Sequence, residues 1–486
     1  MTQAPATVMG NYIAGEWVGA ASGATFERRN PAATAELVGT FPQSGQADVD
    51  AAAGYLAARH GEWAEAAPEH RAGVLNRAAD ILQERQDELA RELVREEGKT
   101  LAEATMETRR TPANLRMYAA EALRLTGQTF PTGDGSLVLT LRQPVGVVAA
   151  ITPWNFPLNI PSRKLGPALA AGNAVVFKPS EVTPLLGQRL AEALLAAGVP
   201  ASALALLHGD AAAGQPLVAH PDVAAVTFTG STAAGRAIHA AAGPARRCQL
   251  EMGGKNAVVV LDDSDLDRAT AVIAKGAFGL SGQACTGTSR VIAHEAVHDE
   301  LVARLAKYAA GLVVGDGMTS GVQMGPLATE AQLAKFLGYT EIAQREGAHL
   351  VAGGERLTGP DYDGGFFVRP AVVDGVTPEM RIAREEVFGP LLAFLRVSSE
   401  DEAVEVANAT EYGLSAGIIT RDVAKALRFA RRVQAGLVKV NQPTTGMAMN
   451  APFGGVKNSS AQAYKEQAGD AAMQFYTVDK TVYVSP

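Results

Sequence analysis

The sequence predicts an α/β fold built on parallel sheets, and three observations lead there. From residue 145 onward, short apolar runs (145–151, 174–177, 204–207, 224–228 and 258–261) alternate with alanine-rich helical stretches. Parallel strands need long crossover connections and are covered on both faces, which produces unbroken apolar runs instead of alternation. A length of 486 residues favours two or three domains, each with its own core. Hydrophobic residues at 47% against 19% charged describe a chain that buries its interior and does not stay disordered.

Taken in order, residues 11–19 place Ala14-Gly15 between Tyr12-Ile13 and Trp17-Val18, the pattern of a short hairpin. Residues 46–125 repeat apolar positions at helical spacing, with Pro68 suited to a helix start and Gly98 to a helix end. The run of parallel strands follows. A second αβ stretch spans about 265–440, with helices near 265–280 and 329–346 and glycine-rich turns of its own, and reads as a second domain. Segments 128–142 and 474–484 alternate like strands and belong to neither. They predict a ribbon that either pairs with another protomer or folds back on its own subunit, because free strand edges seek partners.

A formal charge of -8 at pH 7 removes any bulk attraction to nucleic acid or anionic lipid, which leaves small molecules and further copies of the chain as expected partners. Two cysteines supply no disulfide framework and suggest a reducing compartment. Residues 1–10 lack the pattern of an export signal, and apolar stretches such as 190–199 are far too short to span a membrane, so a cytoplasmic protein is expected. The eight histidines show no metal-ligand spacing, and no metal is expected.

The chemistry centres on Cys285, in Ser281-Gly282-Gln283-Ala284-Cys285-Thr286-Gly287, and on Glu251, which opens Glu251-Met252-Gly253-Gly254-Lys255. A thiol among small residues and a carboxylate able to act as base are the parts of covalent catalysis at a carbonyl carbon. The plainer alternative for a free cysteine is a buried inert side chain, which suits Cys248 in its expected strand. Asn155, between two prolines, reads equally as a turn residue or as an oxyanion donor. No Gly-x-Gly-x-x-Gly occurs at a strand-to-helix turn. Gly230-Ser231-Thr232-Ala233-Ala234-Gly235 follows a strand and opens a helix instead, as an ordinary cap or as a cradle for a pyrophosphate.

Seven motifs then occur in one order: Pro153-Trp154-Asn155-Phe156-Pro157, Lys178-Pro179-Ser180-Glu181, Phe228-Thr229-Gly230-Ser231, the Glu251 run, the Cys285 run, Glu386-Val387-Phe388-Gly389-Pro390 and Pro452-Phe453-Gly454-Gly455. Through them the chain resembles the NAD(P)-dependent aldehyde dehydrogenase superfamily over essentially its whole length. The resemblance implies a Rossmann-type dinucleotide-binding domain over 1–125 and 145–253, a catalytic α/β domain over 254–446 and a β oligomerisation ribbon from 126–144 and 465–486, in a homodimer or homotetramer. It implies that Cys285 attacks the aldehyde, that Asn155 and the Cys285 N–H hold the oxyanion, and that Glu251 activates the water that hydrolyses the thioester. Relatives that pass the acyl group to coenzyme A or phosphate typically lack this base, so a free acid is the implied product. Lys178 and Glu181 correspond to the adenosine-ribose positions, with Ser180 between them. The Glu181 carboxylate tilts the choice toward NAD, while Lys178 and Ser180 leave NADP open. Gly230 and Ser231 match the pyrophosphate turn, Glu386 and Phe388 the nicotinamide-ribose pair, and Trp154 and Gly214 the walls of the same cleft.

For the aldehyde, Arg163 occupies the position from which an arginine contacts the far carboxylate in the succinate semialdehyde branch, the alternative being a solvated helix charge or an ion pair. A second arginine of that branch, six positions before the nucleophile, is replaced by Gly279. Phe156 and Phe453 are the implied substrate-side aromatics. The segments Asn441-Gln442-Pro443-Thr444-Thr445-Gly446, 452–460 and 475–483 are similar to α-ketoglutaric semialdehyde (2,5-dioxopentanoate) dehydrogenases, although Asn458-Ser459-Ser460 carries a second serine where most relatives place glycine. Succinate or glutarate semialdehyde and uncharged aldehydes are the competing substrates. A catalytically silent relative with a binding role is the competing class, and joint retention of Cys285, Glu251 and Asn155 argues against it.

Overall fold

A computed structural model describes residues 9–244, 246–461, 464, 466 and 469–485. Its first sheet runs, edge to edge, through Glu16–Val18, Asn11–Ile13, Leu204–Leu206, Ala174–Lys178, Val147–Ile151, Val223–Thr229, Arg247–Glu251 and Ser460–Ala461. The strands from Leu204–Leu206 to Arg247–Glu251 are parallel, while both edges are antiparallel. Every residue of Val147–Ile151 and Ala174–Lys178 is buried, which is why those runs read as unbroken apolar stretches. The hairpin around Ala14-Gly15 forms as expected and joins this sheet through Tyr12 and Leu206.

The second sheet has the order His349–Ala352, Ala371–Asp374, Leu391–Val397, Arg290–His294, Ala257–Val260, Ser415–Ile419, Leu437–Val440, parallel except at its first pair. The apolar run near 258–261 therefore lies in a different sheet from the four runs before it. Residues 252–256 carry the chain from one sheet to the other.

Both ribbon segments pair with each other: Leu137–Pro144 lies antiparallel to Thr477–Val484 from Leu137↔Val484 to Pro144↔Thr477, and Thr129–Phe130 adds an edge. One expectation fails here. The strand predicted from 474 begins at Thr477, because Gln474 to Tyr476 end the helix Gly469–Tyr476, whose Met473, Phe475 and Tyr476 are buried. Residues 462, 463, 465, 467 and 468 of the expected ribbon segment and its approach lie outside the described residues. The hairpin Thr25–Asn30 with Ala33–Pro42 had no clear signal, since Glu27, Arg28 and Arg29 interrupt its apolar pattern. Arg28 is nonetheless buried, donating to the carbonyls of Glu96 and Ala328. Among the described residues no helix is long and apolar enough to cross a membrane.

The helical region comprises Gln46–Arg59, the short Gly61–Ala64, Pro68–Glu84, Gln86–Glu97 and Leu101–Ala122. Pro68 starts its helix, and Gly98 ends Gln86–Glu97 at φ +102°, its N–H donating to the Val94 carbonyl. Thr100 then caps the next helix in a reciprocal box with Glu103. A Cβ on Gly98 would lie 2.9 Å from both Pro31 Cγ and Pro326 Cγ. Gly98→Ala should thus combine left-handed strain with a clash, lowering stability by about 1–3 kcal/mol in urea unfolding; an unshifted midpoint would show that the junction tolerates a side chain.

Candidate active site

Cys285 follows a turn in which Leu280, Ser281 and Gly282 all have positive φ, at 55°, 53° and 69°. Non-glycine residues hold such angles only where their surroundings over-determine them. Here the Leu280 N–H donates to Glu103 Oε1 at 2.6 Å, Ser281 Oγ donates to the Gly325 carbonyl, and Gln283 Oε1 accepts from the Ala328 N–H. Asn256 Nδ2 donates to the carbonyls of Cys285 and Gly287 at 2.8 and 2.9 Å. Glycine is needed at 282 because a Cβ would sit 2.2 Å from the Gly389 carbonyl oxygen. Burial pushes the Cys285 thiol up to about 12, with Glu386, Glu251 and Glu466 adding to that and Arg163 opposing it. Cys248 is buried in Arg247–Glu251, as expected for the inert cysteine.

Asn155 lies in the loop after Val147–Ile151, buried, with Nδ2 donating to the Gln283 carbonyl at 2.9 Å. This ties its amide to the Cys285 loop, and an amide nitrogen carries a second N–H. The loop is itself clamped. Lys99 Nζ donates to the Asn155 carbonyl at 2.9 Å and to Glu107 Oε2 at 2.7 Å, while Glu107 Oε1 accepts from the N–H groups of Leu158 and Asn159. These last two lie at the start of helix Asn159–Ala170. Lys99 also stands 4.8 Å from the centre of the Phe156 ring.

Glu251 is buried at the carboxyl end of its strand, and its Oε1 accepts from Ser460 Oγ at 3.1 Å across the sheet edge. The residue that stood out as a departure therefore touches the carboxylate itself. Gly253-Gly254, two residues on, packs against Glu386. Neither has positive φ, but a Cβ on Gly253 would lie 2.1 Å from Glu386 Oε2, and the Gly254 N–H donates to Glu386 Oε1 at 3.0 Å. Gly253 thus makes room for a second carboxylate, and a Cβ on Gly254 would instead meet Asn256 Oδ1 at 2.7 Å and the Cys285 carbonyl oxygen at 2.9 Å.

A cavity of about 630 Å³ brings Cys285, Glu251, Phe156, Arg163, Phe453 and Glu466 together. Arg163 is buried, which excludes the solvated-charge reading. Its Nε stands 3.5 Å from Glu466 Oε1, its Nη1 2.8 Å from Met447 Sδ, and its guanidinium 5.4 Å from the centre of the Phe453 ring. Glu466 also accepts from Lys164 Nζ at 2.9 Å. Burial works to raise the Glu466 carboxyl, but Lys164 and Arg163 hold it below its usual range.

Of the expected cofactor residues, Trp154, Lys178, Ser180, Glu181, Gly230 and Ser231 sit at or just beyond the carboxyl ends of parallel strands of the first sheet, where open α/β sheets bind ligands, while Glu386 and Phe388 precede strand Leu391–Val397 of the second. Trp154 and Phe388 meet edge to face at 5.3 Å, Phe388 at φ +59°. Lys178 is buried, its Nζ donating to the Pro179 carbonyl at 3.1 Å and lying 3.9 Å from Glu181. Ser180 Oγ donates to Glu181 at 3.4 Å. Gly214 lies over Lys178, where a Cβ would be 3.7 Å from its Cδ. Ser231 caps Thr232–Ala242 by accepting from the Ala234 N–H, and the Gly230 N–H donates to the Glu251 carbonyl. A buried ammonium, an adjacent carboxylate and a helix start suit ribose hydroxyls and a pyrophosphate. The residues present fit a dinucleotide.

Residues 17–482 match the aldehyde dehydrogenase family. The chain belongs to that family. It is 42% identical over 479 residues to the alpha-ketoglutaric semialdehyde dehydrogenase of Bacillus subtilis (strain 168), covering 98% of each chain. To the alpha-ketoglutarate semialdehyde dehydrogenase of Haloferax volcanii it is 43% identical over 478 residues, again 98% of each. The crystal structure of the NAD-dependent aldehyde dehydrogenase from Sinorhizobium meliloti shares the fold at a TM-score of 0.94 and 36% identity, covering 99% of this chain and 95% of that one. The protein is an aldehyde dehydrogenase, an NAD(P)-dependent oxidoreductase.

Sequence reasoning missed Lys99, Glu107, Asn256 and Glu466, whose contacts cross long stretches of chain and leave no local pattern. Two outcomes test the geometry. Lys99→Met should leave Glu107 buried without its cation, costing about 3–5 kcal/mol of stability, and should lower kcat because Asn155 loses its hold; wild-type values of both would refute the clamp. Glu386→Gln removes the strongest of the negative charges disfavouring a Cys285 thiolate, so the thiol should ionise at lower pH and iodoacetamide should label it several-fold faster at pH 8; an unaltered labelling rate would contradict that electrostatic picture.

Proposed function

We propose that this aldehyde dehydrogenase oxidises a semialdehyde bearing a distal carboxylate, 2,5-dioxopentanoate, to the free acid 2-oxoglutarate. The observation that carries the reading is the single cavity joining Cys285 and Glu251 to the arginine side of the pocket. Support for the substrate comes from the Bacillus subtilis and Haloferax volcanii relatives, whose names specify alpha-ketoglutaric (alpha-ketoglutarate) semialdehyde.

In this reading the Cys285 thiol gives its proton to the Glu251 carboxylate, and sulfur bonds to the aldehyde carbon. The developing oxyanion takes hydrogen bonds from the Asn155 amide and the Cys285 N–H, donors fixed before reaction. Bound NAD(P)+ supplies the acceptor for the hydride that leaves that carbon. Glu251, having passed its first proton to solvent, takes a proton from water as the water oxygen adds to the thioester, and returns it to the sulfur as the C–S bond breaks to release the acid and the thiol. Lys178, Ser180, Glu181, Gly214, Gly230 and Ser231 hold the adenosine and pyrophosphate end. Trp154, Glu386 and Phe388 line the nicotinamide end. We assign residues 1–125 and 145–253 to the dinucleotide-binding unit and 254–446 to the catalytic unit. The ribbon of 126–144 and 465–486, with Leu137, Leu141, Tyr483 and Val484 exposed, is the surface for a homodimer or homotetramer in the cytoplasm.

One observation favours a second reading, a broad-specificity enzyme for uncharged aldehydes: Arg163 is already paired with Glu466. Initial rates decide between them. With NAD, kcat/KM for 2,5-dioxopentanoate should exceed that for pentanal by about 10- to 100-fold, the worth of a charged hydrogen bond; equal values would support the second reading.

A further inference from the structure

We propose that Arg110, from a helix separate from that of Arg163, provides the principal contact for the distal carboxylate of the substrate, in a cationic pocket built around Gly446-Met447; this rests on the carboxylate-bearing substrate proposed above. Arg110 sits in helix Leu101–Ala122 and lines the same cavity as Cys285. Its Nη2 donates to the Met447 carbonyl. Arg163, from helix Asn159–Ala170, reaches the sulfur of the same methionine at 2.8 Å. Lys439, from strand Leu437–Val440, donates through Nζ to the Gly446 carbonyl at 2.8 Å. Three elements thus bring three cations to one turn, and that turn forms part of the cavity wall.

The carboxylates nearby are engaged elsewhere. Glu466 faces Arg163 and Lys164, and Glu107 is held by Lys99 and two backbone N–H groups. Glu103 accepts from Thr100 and from the Leu280 N–H. Among the described residues no carboxylate lies within ion-pair distance of Arg110; the partner it does have is a carbonyl. Burial, then Arg163, lowers the Arg110 guanidinium, and burial, then Arg110, lowers Lys439, the direction like charges impose on one another. A partly buried cluster of one sign is favoured by an anion that completes it, and the planar guanidinium fork matches a carboxylate in bidentate geometry. Arg109 and Lys275, exposed and also bordering the cavity, would draw such a substrate inward.

The test is steady-state kinetics of Arg110→Met and Arg163→Met with NAD on 2,5-dioxopentanoate and on pentanal, together with inhibition of pentanal oxidation by glutarate. Arg110→Met should cut the preference for the charged substrate by about 10- to 100-fold through KM, and should weaken glutarate inhibition by a similar factor. Arg163→Met should disturb that preference less, and Arg110→Lys should recover part of it. Equal losses on both aldehydes would mark Arg110 as structural and overturn the proposal, as would a preference kept in Arg110→Met while the wild type shows it. A wild type without any preference would instead overturn the substrate class, and this inference with it.

Discussion

A thiol held where its anion is disfavoured is the constraint around which the rest of the site is arranged. Cys285 is half-buried, Glu386, Glu251 and Glu466 all oppose its ionisation, and Arg163 alone among its main charged neighbours favours it. A thiolate is the reactive form, so in the proposed reaction the protein keeps the sulfur dormant and relies on a neighbouring base at the moment of attack. The same crowding of carboxylates explains local backbone choices. Gly253 has no side chain because Glu386 occupies the space, and Gly282 has none because the Gly389 carbonyl does.

Precision on the opposite side of the thiol comes from buried acids that meet helix starts. Glu107 accepts from Leu158 and Asn159 at the start of Asn159–Ala170, and Glu96 accepts from Leu185 and Leu186 at the start of Pro184–Ala197. Both acids project from the helical region before residue 125, and both brace a connection that follows a strand of the first sheet. A carboxylate at a helix N-terminus satisfies otherwise orphaned N–H groups and meets the positive end of the dipole. Burial raises Glu96 to about 8, with the Leu186 and Leu185 N–H groups and Arg28 holding it down. In this way the helices, remote from the sulfur in sequence, fix the Asn155 loop and the connection that follows strand Ala174–Lys178.

Much of this was legible beforehand, and the misses have physical reasons. Parallel strands announced themselves because burial on both faces leaves unbroken apolar runs, and Pro68 and Gly98 marked helix ends through their backbone preferences. The same runs carried no information about which sheet each strand joins, and only the resemblance, by starting the catalytic domain at 254, separated 257–260 from the strands before it. The 474–476 segment alternated like a strand, yet burial of Phe475 and Tyr476 in a helix won. At the site, Cys285, Glu251 and Asn155 stood in recognisable motifs, whereas Lys99, between two helices, and Glu107, within one, carry no local signal, because their partners lie in a loop more than fifty residues away. Ser460 was visible as an odd residue, but only the sheet edge gave it a partner.

Catalysis as proposed passes through a covalent acyl intermediate at one sulfur. Intact-protein and peptide mass spectrometry of Glu251→Gln, mixed with NAD+ and 2,5-dioxopentanoate, tests it most directly. The acyl group should accumulate on the peptide containing Cys285, because attack and hydride loss leave a thioester that the variant hydrolyses slowly. Reduced cofactor formed with no adduct, or an adduct on Cys248 in place of Cys285, would contradict it.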